Sequence, residues 1–210
     1  MQQKLFSTKT YTAFKQALID SGCRLCPLAQ ERHNIVVDRG NPEAKVVMIG
    51  EAPGENEDLQ GKAFVGRAGK LLDGMLLELG FETNRDSLII NIAKCRPPGN
   101  RRPTPAEAAA CRPYLEKQLA FVKPRIILLL GATALQHILG PSFRTTAVSK
   151  RKKSPAPMKD LVGNFFDSPG FPGVRLMVIY HPAYILRDPR KKSVMMEHLR
   201  KFVEAWKEIS

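Results

Sequence analysis

The stretch AKVVMIGEAPG, residues 44–54, decides the fold of this chain of 210 residues. It is a short apolar run that ends in a Gly/Pro turn, which is typical of a buried strand. Three more runs of this kind follow it, at Ser87–Ala93, Arg125–Leu130 and Arg175–Tyr180. Because helical segments separate them, we predict βαβ units and a parallel sheet, which places the chain in the α/β class.

Helices are predicted between and around these strands from apolar spacing and from capping residues. Thr104 and Glu107 form a capping box with Pro at the first helical position. The predicted helices are Thr10–Asp20, Gly66–Leu79, Thr104 to about Val122, Gly131–Leu139 and Ser193–Glu208. The sequence has no internal repeat, and its length suits a single domain, which we expect to span residues 1–210.

The chain is strongly basic, with 33 Lys and Arg against 20 Asp and Glu and a net charge of +13. Such a charge attracts polyanions, and phosphate contacts make nucleic acid the first candidate. A membrane surface is the alternative, but the sequence shows no long basic amphipathic helix. We predict an exposed basic loop at 145–157 that binds DNA through four consecutive residues: Lys150, Arg151, Lys152 and Lys153.

The chain starts without the apolar core of a signal peptide, and its longest apolar run is too short to span a bilayer. We therefore expect a cytoplasmic protein without membrane contact. In a reducing compartment, four cysteines favour metal binding or catalysis over disulfides. Cys23 and Cys26 form a C-x2-C pair, whereas Cys95 and Cys111 are widely spaced. Scattered thiols, a zinc site and an iron–sulfur site all remain open at this point.

Polar residues stand at the ends of three predicted strands. Glu51 opens an acid-rich stretch after the first strand, Asn91 lies within the second, and His181 follows the fourth. Each has a plain explanation: a solvated turn, an amide bonded to nearby backbone, or a structural histidine. Ligands of parallel sheets bind outside the carboxyl ends of the strands, however, so together these residues predict a site there.

Four segments carry a resemblance to a known family: CRLC, GEAPGENEDLQGKAFVGRAGKLL, INIAKCRPPGNRRPTPAEAAAC and YHPAYILRDP. Together they resemble the family 4, iron–sulfur type, uracil-DNA glycosylases, from about Cys23 to the end of the chain. The resemblance implies a three-layer α/β/α sandwich around a four-stranded parallel sheet. It also implies an enzyme that flips uracil out of DNA and hydrolyses its N-glycosidic bond, which releases uracil and leaves an abasic site.

The resemblance implies roles for individual residues as well. A [4Fe–4S] cluster would be held by Cys23, Cys26, Cys95 and Cys111. The uracil pocket would be lined by Glu51, Ala52, Pro53, Glu57, Phe64, Asn91 and His181. Phe64 would stack on the flipped base, His181 would contact uracil O2, and Arg187 would lie in the loop that enters the DNA. Either Glu51 or Glu57 would orient the water, unless the leaving group departs first.

The chemistry of the base supports this assignment. An Asn amide donates to O4 of uracil and accepts from N3–H, so cytosine mismatches both atoms. A histidine donor at O2 stabilises the negative charge of the departing base. The partner would be uracil-containing DNA, single- or double-stranded, bound by a monomer. Two alternatives remain: a non-catalytic, metal-stabilised DNA-binding module, and a glycosylase that accepts a broader range of deaminated bases.

Overall fold

The computed structural model describes residues 5–139, 158–167 and 170–209. Its centre is a six-stranded sheet with the order β1-β3-β2-β4-β6-β5. The strands are β1 Arg39–Gly40, β2 Val46–Gly50, β3 Leu88–Asn91, β4 Ile126–Leu130, β5 Phe165–Phe166 and β6 Arg175–Ile179. The four inner strands are parallel, which confirms the predicted four-stranded parallel sheet.

The sheet is wider than predicted, because an antiparallel strand of two residues flanks each edge. Arg39 pairs with Ile89, and Phe166 pairs with Leu176. Two residues are too few to show the alternation of apolar and polar side chains by which a strand is recognised. The edge strands could therefore not be predicted from the sequence, whereas the four parallel strands could.

Five predicted helices are confirmed, with small shifts of their ends. The helices are α1 Tyr11–Asp20, α2 Glu55–Gln60, α3 Arg67–Leu77, α4 Thr83–Asp86, α5 Pro105–Val122, α6 Ala132–Leu139, α7 Met158–Leu161, α8 Pro182–Arg187 and α9 Lys192–Lys207. The capping box starts α5 as predicted, since the Thr104 hydroxyl accepts from the Glu107 N–H and the Glu107 carboxylate from the Thr104 N–H. The short helices α2, α4, α7 and α8 were not predicted.

Helices cover both faces of the sheet and make three layers. Alternate strand residues point to opposite faces. Met48 and Leu128 belong to one buried cluster with side chains of α3 and α9, whereas Ile49 and Leu129 belong to a second cluster with side chains of α5 and α6. The α/β/α sandwich is thereby confirmed, with a hydrophobic core on each side of the sheet.

Helix α1 packs against α5, and its Tyr11 also reaches the cluster on that face of the sheet. Phe14 and Leu18 of α1 form a third buried cluster with Tyr114 of α5. Just beyond α1, the Cys23 thiol lies 3.3 Å from the Tyr114 hydroxyl. This packing brings the turn that carries Cys23 and Cys26 against the helix that carries Cys111.

The predicted basic loop, with Lys150, Arg151, Lys152 and Lys153, lies outside the described residues, so it stays a prediction. Within the described ranges, no helix combines the length and the apolar character that a membrane span requires.

Candidate active site and four-thiol site

A cavity of about 450 Å³ opens where the inner strands end. This volume lies within the range of cavities that hold small molecules. The cavity is lined by every residue that was assigned to the uracil pocket, together with Arg187: Glu51, Ala52, Pro53, Glu57, Phe64, Asn91, His181 and Arg187. The structure therefore brings together residues that the sequence spreads over more than half its length.

Asn91, the last residue of β3, is 1% exposed, and neither atom of its amide group has a hydrogen-bond partner among the described residues. Burying such a group without a partner costs about 1–3 kcal/mol, so it needs an explanation. Gly50 lies opposite in the register, and a Cβ there would come within 2.5 Å of Asn91 Oδ1 and of the Phe64 ring. Asn91, Gly50 and Phe64 are therefore closely packed, while both polar atoms of the amide stay unpaired among the described residues.

Phe64 forms an apolar wall of the cavity and is 5% exposed. Its backbone has a left-handed φ of 55°, which is uncommon for a bulky residue. Gly69 makes this turn possible, because a Cβ there would lie 1.8 Å from the Phe64 carbonyl oxygen. The ring centroids of Phe64 and His181 are 5.8 Å apart, so the aromatic wall stands beside the imidazole.

His181 precedes α8, and its Nδ1 accepts a hydrogen bond of 3.2 Å from the Ala183 backbone N–H. Nδ1 therefore carries no proton, and in the neutral ring the proton resides on Nε2. Burial, helped by the positive charge of Arg187, lowers the pKa of His181 to about 4. At neutral pH the imidazole is thus an uncharged hydrogen-bond donor through Nε2.

The two carboxylates of the cavity have different surroundings. Glu57 accepts from two backbone N–H groups, from Gly66 at 2.7 Å on Oε1 and from Gly54 at 3.2 Å on Oε2. It ties together the turns that precede α2 and α3. Glu51 accepts from the Thr133 hydroxyl and lies 3.9 Å from the Arg102 guanidinium, both through Oε2. Both oxygens of Glu57 are therefore engaged in holding backbone, whereas Glu51 is bound through one oxygen.

The four cysteines converge from three parts of the chain. Cys23 and Cys26 are half-buried, while Cys95 after β3 and Cys111 in α5 are buried. Burial raises the pKa of Cys95 to about 12, with smaller contributions from Cys111 and Cys26, and it raises the pKa of Cys111 with contributions from Cys26 and Cys23. Cys26 packs against the same buried side chains as Cys95, and Cys23 contacts Tyr114 in the helix that carries Cys111. In the part of the chain that the structure describes, however, no three His, Cys, Asp or Glu side chains are grouped to hold one metal ion.

Two cationic side chains flank the thiols. The guanidinium of Arg32 donates to the Cys95 sulfur at 3.2 Å. Lys94 is 1% exposed, and its ammonium donates to the Asn91 carbonyl oxygen at 2.7 Å. Burial lowers the pKa of Lys94 to about 8, although the charges of Cys111, Asp38 and Cys95 act in the opposite direction. Arg32 and Lys94 lower the pKa of the neighbouring thiols, but burial outweighs them, so the pKa of Cys95 and the pKa of Cys111 stay raised.

Sequence reasoning missed several residues of the cavity, among them Thr133 and Arg102, which both contact Glu51. Thr133 follows β4 just as Glu51 follows β2 and His181 follows β6. All four inner strands end at this edge of the sheet, so the argument that identified Glu51 and His181 applies to Thr133 as well. The position of Gly131-Ala132-Thr133 after a predicted strand was the available signal. Arg102 lies in the loop before α5, and its approach to Glu51 depends on tertiary structure alone.

The chain is an α/β protein of the α/β/α sandwich class, with a cavity at the ends of its inner strands, where ligands of such sheets bind. The sequence model of the uracil DNA glycosylase superfamily matches residues 37–210. A type-4 uracil-DNA glycosylase of Thermotoga maritima is 40% identical over 181 residues, 85% of this chain and 86% of the relative. One of Saccharolobus solfataricus is 38% identical over 185 residues, 87% and 81% of the two chains.

A type-5 uracil-DNA glycosylase of Thermus thermophilus is more distant, at 30% identity over 200 residues, 80% of this chain and 85% of the relative. The chain belongs to the uracil DNA glycosylase superfamily, and within it to the type-4 family. This agrees with the family that the four sequence segments indicated.

Proposed function

We propose that the protein is a uracil-DNA glycosylase of base excision repair. It takes uracil out of single- or double-stranded DNA, hydrolyses the N-glycosidic bond, and leaves an abasic site. The observation that carries this proposal is the buried Asn91 amide, whose donor and acceptor have no protein partner among the described residues. Uracil presents the matching pair, O4 and N3–H, on one edge. The similarity to type-4 uracil-DNA glycosylases supports the same activity.

The target bond is shielded inside a duplex, so the nucleotide must flip into the cavity before reaction. The Phe64 ring offers a stacking surface, and such stacking is worth about 1–3 kcal/mol per base. The His181 Nε2–H donates to uracil O2, where negative charge accumulates as the glycosidic bond breaks. Because this imidazole is neutral before the reaction, its hydrogen bond strengthens as the charge develops.

We propose that Glu51, rather than Glu57, orients the attacking water. Both Glu57 oxygens accept backbone N–H groups, so this side chain shapes the pocket. Glu51 borders the cavity and is 26% exposed. Its carboxylate accepts the proton of the water whose oxygen bonds to the sugar C1′. The bonding electrons of the glycosidic bond pass to uracil, which leaves as an anion bound to His181.

The experiment that tests this function is release of free base from labelled oligonucleotides that differ only in one base. The proposed function expects release from uracil, and none from thymine or cytosine. DNA binding without any release would identify a non-catalytic DNA-binding module. Release of hypoxanthine or xanthine at rates comparable with uracil would identify a glycosylase for a broader range of deaminated bases.

We further propose that Cys23, Cys26, Cys95 and Cys111 hold a [4Fe–4S] cluster. Four thiolates are the usual ligands of such a cluster. A zinc ion would need all four sulfurs about 2.3 Å from one point. The resemblance to the iron–sulfur type of the family favours the cluster over zinc, and Cys26 packs in the same group of buried side chains as Cys95. The cluster would join the N-terminal turn to β3 and α5.

A Cys95→Ala variant tests whether this site is structural. We expect it to lose iron and the absorbance at about 400 nm that thiolate-bound iron–sulfur groups show. We also expect its melting temperature to fall by about 4–8 °C, for a loss of about 2 kcal/mol. DNA affinity should fall with it, because the loop from Arg96 to Arg102 starts at Cys95. An unchanged melting temperature with loss of base release would contradict a structural role.

We propose that the basic residues bind the phosphate backbone, with Arg187 at the rim of the cavity. Neutralising Lys150, Arg151, Lys152 and Lys153 should weaken binding to uracil-containing and undamaged DNA alike. It should also reduce the slope of affinity against salt by about 0.9 per lost phosphate contact. Binding titrations at several salt concentrations measure both effects. A loss confined to uracil DNA would instead show that this segment reads the lesion.

We also propose that the chain forms a single domain over residues 1–210, is a monomer in solution and is located in the cytoplasm. Light scattering of the DNA-free protein measures the oligomeric state directly.

A further inference from the structure

We propose that Thr133 is a positioning residue that orients the Glu51 carboxylate towards the attacking water. This inference rests on the proposed function and assigns a role to a side chain outside the predicted site. Thr133 is the second residue of α6, is 6% exposed, and borders the cavity. Its hydroxyl donates to Oε2 of Glu51, so the buried partner of this carboxylate is a neutral donor.

The contact joins two neighbouring strand ends. Glu51 follows β2 and Thr133 follows β4, and these strands lie side by side in parallel register. Gly131 allows the chain to turn between β4 and α6, because it has a φ of 93° and a Cβ there would approach the His181 Cβ to 3.0 Å. The start of α6 therefore packs against the site, and the backbone fixes the position of the Thr133 hydroxyl.

Arg102 is the other partner of Glu51, and its geometry is weaker. Its Nε lies 3.9 Å from the same Oε2, and its side chain is 75% exposed. Exposed ion pairs at such distances contribute little and do not fix a geometry. The buried hydroxyl of Thr133 therefore sets the direction of the carboxylate, and both contacts leave Oε1 for the water.

The test is a set of variants measured under single-turnover conditions on a uracil oligonucleotide. Thr133→Val keeps the shape and removes the hydroxyl, and Thr133→Ser keeps the hydroxyl. We expect Thr133→Val to lower the rate of base release by about ten- to a hundredfold, which is typical for a lost hydrogen bond to a charged group. The affinity for uracil DNA should stay within about twofold, because Glu51 acts on water. Thr133→Ser should restore most of the rate.

Thr83→Val is the matched control. The Thr83 side chain is also buried and also donates to a carboxylate, at 2.8 Å to Asp73, but it lies outside the cavity. It should lower the melting temperature about as much as Thr133→Val does, and leave the rate unchanged. If Thr133→Val does not fold, Thr133→Ala serves in its place.

A double-mutant cycle with Glu51→Gln separates positioning from packing. If Thr133 acts through the carboxylate, Thr133→Val should have no further effect once Glu51 is Gln. Equal fractional losses in both backgrounds would overturn the inference, as would a wild-type rate for Thr133→Val. Failure of the wild-type protein to release uracil would instead overturn the proposed function, so the two failures are distinct.

Discussion

A His181→Leu variant is expected to release uracil about 10²–10³ times more slowly than the wild type, the usual loss for one donor to a developing anion. Leucine keeps much of the volume and donates no hydrogen bond. The hydrogen bond from Nε2 strengthens only as uracil leaves, so kcat should fall with little change in KM. His137→Leu is the matched control, since His137 is half-buried on α6 and does not line the cavity.

The same assignment has a consequence for pH. Burial and Arg187 lower the pKa of His181 to about 4, so the neutral form persists down to about that pH. The activity should therefore show no loss centred on pH 6.5, the ordinary value for histidine. Single-turnover rates of uracil release, measured from about pH 4 to pH 6.5, test this expectation. An inflection near pH 6.5 that disappears in His181→Leu would show a charged imidazole at work and would contradict the assignment.

An Asn91→Asp variant is expected to lose uracil activity and to acquire activity on cytosine. Cytosine presents N4–H2 where uracil presents O4, so the Asn91 NH2 group meets a donor. A carboxylate accepts from N4–H2, and in its protonated form it also donates to the bare N3. Because the position is 1% exposed, burial should raise the pKa of the introduced carboxyl and favour the protonated form.

Uracil release by Asn91→Asp should fall by about ten- to a hundredfold, the equivalent of about 1–3 kcal/mol for one lost hydrogen bond. Cytosine release should become measurable, most readily in single strands or mispairs, where flipping costs least. Matched oligonucleotides that carry uracil or cytosine test both effects. Full uracil activity without any cytosine release would show that Asn91 is structural and that the pocket assignment is wrong.

The parts of the fold that were predictable are those in which a local pattern is long enough to read. The runs around Val46–Gly50 and Ile126–Leu130 are apolar throughout, because both faces of these strands are covered. The edge strands have two residues each and are formed by pairing with a neighbour. Helix α8 was missed because it spans only six residues, too few for an apolar period to show.

The features of the candidate site also divide into those that the sequence predicts and those that it does not. Glu51, Asn91 and His181 were predictable because each stands at the end of a recognisable strand. The tie between Glu57 and two backbone N–H groups was not, since its partners are main-chain atoms that no side-chain pattern reveals. For the same reason the sequence left Glu51 and Glu57 as equal candidates, and only the hydrogen bonds separate them.

The wall around Phe64 shows where this cavity can be redesigned. At Gly50 and Gly69 a single added carbon would collide with Asn91 Oδ1 and with the backbone of Phe64, so these positions are closed to variation. The cavity is also bordered by the small side chains of Ala52, Ala68 and Ala183. An engineer who wants the pocket to admit a different base should therefore vary the alanines and leave the glycines alone.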